Sequence, residues 1–538
     1  VMQRDWNQLI DDILLAKLCN MNFWRLTQRP VQKEVYEYCN RLGLMTQTDL
    51  PLFGVLRRNQ FCEAVRQAGE MERLVRSHPC NIMVTYINEP FGRAKGMPHR
   101  HLLRTELERF FMAADQAVLQ SNPDRVIKAV DGDYDPPGPG LPDNHCYCGW
   151  YNGHGLDMGR LHRGYWQKVK PGWMYGCGEF GAEGLDSADL MRRRYPKSWL
   201  PQSAEDEKDW TPDRIVKAQT GRFHYMWFDS QDTVENWVRA SQEHQEWAIR
   251  LMMEAFRRDS RMNTCAIHLF IDAFPAGWMK AIMDCERRPK PAYFACREAL
   301  TPLMVNIRAD RFAFFENETA EFEAWICNDT QSRPEKASLA WRLELEGVKK
   351  GGGWQDTDVP ECSSLCKGII RFKVPGIDKR SKGVLRLALL NGTGDVLHDT
   401  ALEFRIFPCL AEKKQKIDII GAPDGAAVRL ADDLGLDRRT WDPSSRRSDI
   451  VLIDDVASAV AVGHRLGEQV DKGALAVVLG AEPGTHDLCG SRIEVRACGM
   501  RPVHFVSRKT GHCLVADFEP DDFKFWYDAC EGYPSPLL

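Results

Sequence analysis

The sequence predicts a multidomain chain: a parallel α/β domain, then a β-sandwich, then a second and smaller α/β domain. Three observations predict it. Over residues 1–304, strand-like runs alternate with helical patterns, which implies parallel strands joined by crossover helices. Over 305–410 the pattern switches to period-two runs without a long helix, and over 411–538 the alternation returns. With 538 residues the chain is too long for one core, and about three domains are expected.

The first element is a helix from Asp5 to Leu18, with Ile10, Ile13 and Leu14 at helical spacing. Asn22 to Thr27 reads as a short strand. Pro30 opens a second helix that carries Val31, Val35, Tyr36, Cys39 and Leu42 on one side and closes at Gly43. A strand from Leu44 to Leu50 and a helix from Phe61 to Val75 follow. The apolar run Asn81 to Ile87 ends in Asn88-Glu89-Pro90. After a helix (His101 to Gln120) and a strand (Arg125 to Asp131), a loop rich in Pro and Gly runs from Asp133 to Pro142. A strand from Cys146 to Tyr151 and a helix from Gly159 to Lys168 lead to the run Trp173 to Cys177, which ends in Gly178-Glu179-Phe180-Gly181. Past a large insertion come the helix Thr233 to Arg257, the strand Cys265 to Ile271 and the helix Pro291 to Leu300. This makes seven strands, with a helix first. A (β/α)8 TIM barrel has eight strands, so the first barrel strand is expected to lie upstream of Val1.

Six period-two runs follow: Phe312 to Phe315, Ala320 to Asn328, Ala337 to Leu345, Gly368 to Val374, Gly383 to Leu390 and Thr400 to Phe407. Gly351-Gly352-Gly353 and Asn391-Gly392-Thr393-Gly394 read as turns between them. Short strands at this density imply an immunoglobulin-like β-sandwich. The third domain has apolar strands at Ile417 to Ile420, Ile450 to Ile453 and Ala474 to Leu479, two of them continuous enough to be covered on both faces. A flavodoxin-like outline with a structural role is expected, because no phosphate-loop Lys or nucleophile accompanies its glycines.

Composition narrows the partners. The net charge of −5 gives no electrostatic reason to expect nucleic acid or an anionic membrane, and no apolar run approaches the ~20 residues of a membrane span. The 18 Cys lack C-x-x-C spacing, and their closest pair, Cys146 and Cys148, is a C-x-C. Free thiols in a reducing compartment are expected, which favours the cytoplasm. A periplasmic or secreted location stays open because Val1 does not look like a natural start. Association into a homo-oligomer through the sandwich or the C-terminal domain is a reasonable expectation.

The chemistry rests on the two strand ends. In a barrel of parallel strands, side chains at the C-terminal strand ends face a shared pocket, so Glu89 and Glu179, 90 residues apart, can converge there. Their separation fits three strand-helix units of roughly 30 residues each. A facing pair of carboxyls is the minimum equipment for cleaving a glycosidic bond. Glu89 follows an apolar strand, where partial desolvation favours the protonated form. Glu179 sits among glycines that leave room for a sugar, and Arg25 at another strand end can hold it ionised. The competing reading of each Glu is a solvated loop residue.

The run Asp11 to Arg25, the two motifs Asn88-Glu89-Pro90 and Gly178-Glu179-Phe180-Gly181, and the stretch Arg288-Pro289-Lys290-Pro291-Ala292-Tyr293 together resemble the family 2 glycoside hydrolases. The likeness covers residues 1–305. It implies a retaining β-glycosidase in which Glu179 is the nucleophile, Glu89 the acid/base, and Asn88 a hydrogen-bond partner of the sugar 2-OH. Arg25 matches the family's strand-end arginine, and Trp278 falls where the family places an aromatic platform. Asp49, Tyr151, His154, His224 and Tyr225 are further candidates for carbohydrate contact, each against a structural alternative. Family members of the β-galactosidase type often use Mg²⁺ or Na⁺, so either ion is possible here, but no ligands can be assigned. Thr27-Gln28-Arg29-Pro30 replaces the family's Ser-His-Tyr-Pro run. The Asn-x-Lys motif by which glucuronidases grip a carboxylate is not evident from Met283 to Lys290. The latter lowers the β-glucuronidase reading without selecting galactose, mannose or another sugar. An exo-acting enzyme of the β-galactosidase type is favoured, with β-glucuronidase, β-mannosidase or an endo-acting glycanase as alternatives. The alternative outside enzymes is a barrel that binds carbohydrate without cleaving it, or an inactive fragment.

Overall fold

The computed structural model describes residues 5–90, 100–149, 158–164, 172–409, 416–444, 449–496, 518–519 and 521–522. The chain forms a larger unit that includes everything described up to Phe407 and a smaller one that begins at Pro408.

In the larger unit the Asp5 carboxylate caps α1 (Trp6–Leu18) by accepting from the Asn7 and Gln8 amides. β1 (Phe23–Leu26) and α2 (Lys33–Leu42) follow. The second helix starts three residues past Pro30, because the Val31 amide donates to the Tyr36 hydroxyl instead of joining the helix, and it ends on Gly43 at φ 71°. Next come β2 (Met45–Asp49), α3 (Phe61–Val75), β3 (Asn81–Thr85), β4 (Ile87–Asn88), α4 (Arg104–Leu119), β5 (Val126–Ile127), β6 (Val130–Asp131) and α5 (Met158–His162). β7 (Tyr175–Phe180) leads into an insertion built from α6 (Ala188–Arg194), α7 (Ala204–Lys208) and α8 (Thr220–Phe223). The long α9 (Val234–Arg258), β8 (Met262–Ile267) and α10 (Pro291–Ala299) complete this part.

The parallel order is as expected, but the hydrogen bonding differs. β1, β2, β3 and β5 form one parallel sheet, while β4 pairs with β6 and β7 with β8. Isolated bridges from Asp143 to Gly176 and from Cys146 to Phe180 connect further stretches to β7. Among the described residues this is a sheet in three pieces, not one closed ladder. The break has a local cause: the Tyr86 and Ile87 amides both point at the Ala129 carbonyl, a two-against-one arrangement that re-aims the chain just before Glu89. A further difference is that Glu179 lies within β7, not beyond its end.

The rest of the larger unit is all β: β9 (Leu303–Arg308), β10 (Ala313–Phe315), β11 (Thr319–Asn328), β12 (Ala337–Leu345), β13 (Val348–Thr357), β14 (Ser363–Lys373), β15 (Ser381–Asn391) and β16 (Val396–Phe407). A five-stranded sheet ordered β10-β16-β15-β12-β13 and a three-stranded one ordered β14-β11-β9 share a core that includes Ile307, Phe322, Leu343, Leu387 and Phe404. The Gly351-Gly352-Gly353 run is not a turn. It lies inside β13, opposite Trp341, where a Cβ on Gly353 would meet the indole at 2.7 Å. The turn falls instead at Glu346-Gly347, both at positive φ (47° and 77°), as a tight hairpin requires.

The smaller unit alternates β17 (Lys416–Ile420), α11 (Ala426–Asp433), β18 (Asp437–Thr440), β19 (Ile450–Ile453), α12 (Val456–Asp471) and β20 (Leu475–Val478). Its sheet is parallel with the order β18-β17-β19-β20, the order of flavodoxin-like doubly wound sheets. Separate apolar clusters around Ile419 and Leu452, and around Val451 and Ile453, show why those strands read as continuously apolar. The Asp454 carboxylate accepts from the Ala422 and Ala427 amides at 2.7 and 2.8 Å, so the start of α11 is already capped from within.

Candidate active site

Glu89 immediately follows β4, and its backbone takes φ 46° while its amide donates to the Asp131 carbonyl at 2.9 Å. A non-glycine residue held at positive φ marks a place where the surroundings dictate the backbone. Glu179 reaches the same spot from β7: Glu89, His145 and Glu179 each bring a side-chain polar atom within 4.8 Å of the other two. The two carboxylates are unequal, with 40% of the Glu89 side chain exposed against 9% for Glu179.

Arg25, projecting from β1, is the hub. Its guanidinium lies 2.7 Å from Asp49, 2.6 Å from Asp131 and 2.9 Å from Glu179, and it donates to the Asn88 side-chain oxygen at 2.8 Å. Arg25, Asn88 and Glu179 are thus brought together as the sequence suggests. Asp49 takes a different place: it is buried and accepts from Arg25, Gln47 and the Gln28 amide, so it serves the guanidinium and not a sugar hydroxyl.

Three residues of this site escape the sequence reading. His145 Nδ1 lies 2.9 Å from Glu89 and 3.6 Å from Glu179, and its Nε2 lies 2.9 Å from Asp131. The Tyr147 hydroxyl donates to Glu179 at 2.6 Å, and His268 Nε2 lies 4.0 Å from the same carboxylate. Burial alone would push Glu179 up; His145, His268, Arg25 and the tyrosine hydrogen bond together bring it down to about 2. For His145 burial acts to lower the pKa, but Glu179, Asp131 and Glu89 raise it to about 10, so the ring is an imidazolium at neutral pH. His268 is pushed down to about 4, chiefly by burial, and is neutral there.

The floor below is a buried charge network. Asp131 faces Arg25, Lys128, Gln47 and His145, and Asp143 faces Lys128 at 2.8 Å and the Gly132 and Gly178 amides. Two glycines just before Glu179 serve this floor. A Cβ on Gly178 would stand 1.8 Å from an Asp131 oxygen, and one on Gly176 would stand 2.8 Å from Asp143. They make room for carboxylates, not for a sugar. Asp131, Asp143 and His145 also meet the spacing of a metal site. A divalent ion needs free oxygen donors, whereas both Asp131 oxygens and both Asp143 oxygens already accept from protein groups, with the Lys128 ammonium between them. These residues do not fit the Mg²⁺ or Na⁺ considered from the sequence.

At the rim, the Trp278 ring stands 5.7 Å from His268, and the Lys280 ammonium lies 4.7 Å over the Tyr147 ring and 4.8 Å over that of Trp278. Burial pushes Lys280 down to about 8. Asp272 accepts from the Trp278 and Met279 amides and holds this turn. Glu183, pushed up to about 7 by burial, accepts from Gln219 and Thr220 and pins the insertion. His224 is not a pocket residue. Its Nδ1 donates to the Thr220 carbonyl, its Nε2 meets Ser230 at 2.8 Å, and its ring packs on Trp237 in the insertion's core. Tyr225 stands edge-on beside His224. Tyr151 and His154 lie outside the described residues.

No family model matches the chain. It is 30% identical to the β-glucuronidase of Sus scrofa over 91 residues, which are 16% of this chain and 14% of that protein. It is 28% identical to that of Rattus norvegicus over 159 residues, 28% and 23% of the two chains. Among solved structures, the β-D-mannosidase of Dictyoglomus thermophilum superposes with a TM-score of 0.57 at 18% identity, over 77% of this chain and 50% of that one. The exo-chitosanase of Amycolatopsis orientalis gives 0.50 at 13% identity, over 74% and 47%. The chain therefore spans about half the length of these structures and aligns with less than a quarter of the curated relatives. These comparisons give no support to the β-galactosidase type favoured from the sequence. In motif order, in local identity to β-glucuronidases and in fold, the chain is similar to the family 2 glycoside hydrolases.

Proposed function

We propose that the chain carries the catalytic centre of an exo-acting retaining β-glycosidase, in which Glu179 attacks the anomeric carbon and Glu89 protonates the leaving oxygen and then activates water. The observation that carries this reading is the approach of the two carboxylates to within 4.8 Å, one enclosed by cations and the other open to solvent. So close an approach of their oxygens favours the ~5–5.5 Å carboxyl separation of retaining enzymes over the ~6.5–9.5 Å of inverting ones. The same reading takes the α/β part as a (β/α)8 barrel and the sandwich as immunoglobulin-like.

The sugar we infer is one that bears a carboxylate. Lys280 supplies a buried ammonium beside Tyr147 and Trp278, close enough for Glu89 and Glu179 to act on its charge. The β-glucuronidase relatives point the same way. Trp278-Met279-Lys280 lies upstream of residues 283–290, the stretch without an Asn-x-Lys run. The test is a 2-deoxy-2-fluoro β-glucuronide with a dinitrophenyl leaving group. We expect one glycosyl residue on the intact protein, located on Glu179 by peptide mass, and no labelling of Glu179→Gln. Turnover of aryl β-glycosides by Glu179→Gln at the parent rate would overturn the proposal.

A further inference from the structure

We propose that His145 is a positioning residue that supplies one fixed positive charge to both carboxylates, facing whichever of Glu89 and Glu179 is ionised in each half of the reaction. This rests on the proposed double displacement. The geometry is specific. His145 Nδ1 lies 2.9 Å from Glu89 Oε1 and 3.6 Å from Glu179 Oε2, so one N–H stands between the two acids. Its other nitrogen is tied to Asp131 at 2.9 Å, and Asp131 is itself held by Arg25, Lys128 and Gln47, which keeps the ring from turning. Gly132, at φ 97°, has no Cβ where one would stand 2.9 Å from the imidazole and 3.0 Å from Glu89 Cγ, so the histidine and the acid pack over a residue that only glycine can be.

The charges facing the ring come from every neighbouring strand: Arg25 on β1, Glu89 after β4, Asp131 on β6, Asp143 at 3.9 Å, Glu179 on β7 and neutral His268 beyond β8. Anions dominate this shell, and the ring stays protonated at neutral pH.

The charge balance of the reaction shows what such a cation does. The proposed double displacement starts with Glu179 ionised and a proton on Glu89. Because Glu89 Oε1 accepts from His145, that proton belongs on Oε2. Glu179 attacks the anomeric carbon, the glycosidic C–O bond breaks, and the Oε2 proton moves to the departing oxygen. Glu179 is now a neutral ester and Glu89 a carboxylate. In the second half, water attacks the same carbon, its proton goes to Glu89, and Glu179 leaves as a carboxylate. The site holds the same total charge at each stage. The negative charge moves between two acids that share one imidazolium, and the His145 protons stay where they are.

The test uses the full chain and an aryl β-glucuronide. Taking a cation away from a carboxylate makes it easier to protonate, by about one pH unit or more at these distances. His145→Gln should therefore move both limbs of the kcat/KM bell to higher pH. A bell that loses height without moving would overturn the proposal, since a purely structural histidine gives that result. Should the variant fail to fold, ring ¹⁵N shifts of His145 in the parent protein decide the matter. An imidazolium at pH 7 in both the free and the 2-fluoroglycosyl forms is expected, and a neutral ring in either form overturns the assignment. Absence of labelling at Glu179 in the parent protein would instead count against the double displacement itself.

Discussion

Lys280 joins the charge of the site to substrate choice. Its ammonium sits over two aromatic rings that leave it poorly hydrated, and a hydrogen bond to a charged partner contributes about 1.5–3 kcal/mol. Lys280→Ala should raise KM for an aryl β-glucuronide by about tenfold or more while leaving a neutral aryl β-glycoside little changed. The sign with pH follows from the lysine's lowered value. Its positive charge is present below about 8 and is lost above it, so affinity for the uronide should fall as pH rises through about 8, with no matching fall for the neutral sugar. Steady-state kinetics from pH 6 to 9 on both substrates check this. A parallel decline for both would mean that Lys280 acts on the fold and not on the ligand.

At the level of strands and turns, the tightest constraint lies beneath Glu179. Gly178→Ala places a methyl on the Asp131 carboxylate, and overpacking of a rigid neighbour costs about 1–3 kcal/mol. We expect a lower thermal midpoint together with a large loss of activity, whereas Gly394→Ala in an exposed hairpin should spare activity. The motif around Glu179 was legible as a strand end because its glycines break an apolar run, but their purpose was not. They accommodate Asp131 and Asp143, contributed by segments 35 to 47 residues away, and no local pattern announces such a meeting. His145 and Tyr147 were missed for a related reason. They alternate along one face of a stretch that makes only an isolated bridge to β7, too short a pairing to leave a strand pattern in the sequence. Glu89, Glu179, Asn88 and Arg25 were found because each closes a periodic apolar run. Helices such as Phe61–Val75 were found because their apolar period is long and uninterrupted. The triple glycine of β13 misled for the opposite reason: a residue type that usually marks turns was selected there by the bulk of Trp341 across the sheet.

For the molecule as a whole, the buried network links stability to pH in both directions. Glu179, lowered to about 2, stabilises the fold above its ordinary value of 4.5, and that contribution disappears as pH falls toward about 2. His145, raised to about 10, stabilises the fold below its ordinary 6.5, and its contribution is lost as pH climbs toward about 10. Between 4.5 and 6.5 two groups oppose each other: Glu183, raised to about 7, loses stability as pH rises, and His268, lowered to about 4, gains it. The thermal midpoint should therefore peak between pH 4.5 and 6.5, and His145→Gln should flatten the descent above that window. A midpoint that keeps rising from pH 6.5 to 9 would contradict this assignment. The unequal enclosure of the two acids has a consequence for selectivity. Glu179 stands on a floor with no slack, in a ring of fixed partners, so the sugar that meets it must match a rigid mould. Glu89 has 40% of its side chain exposed and, among the described residues, few partners to set its outer boundary. For chemistry of the proposed kind, discrimination then falls on the ring being transferred, and departing groups of widely different size and shape are accepted alike.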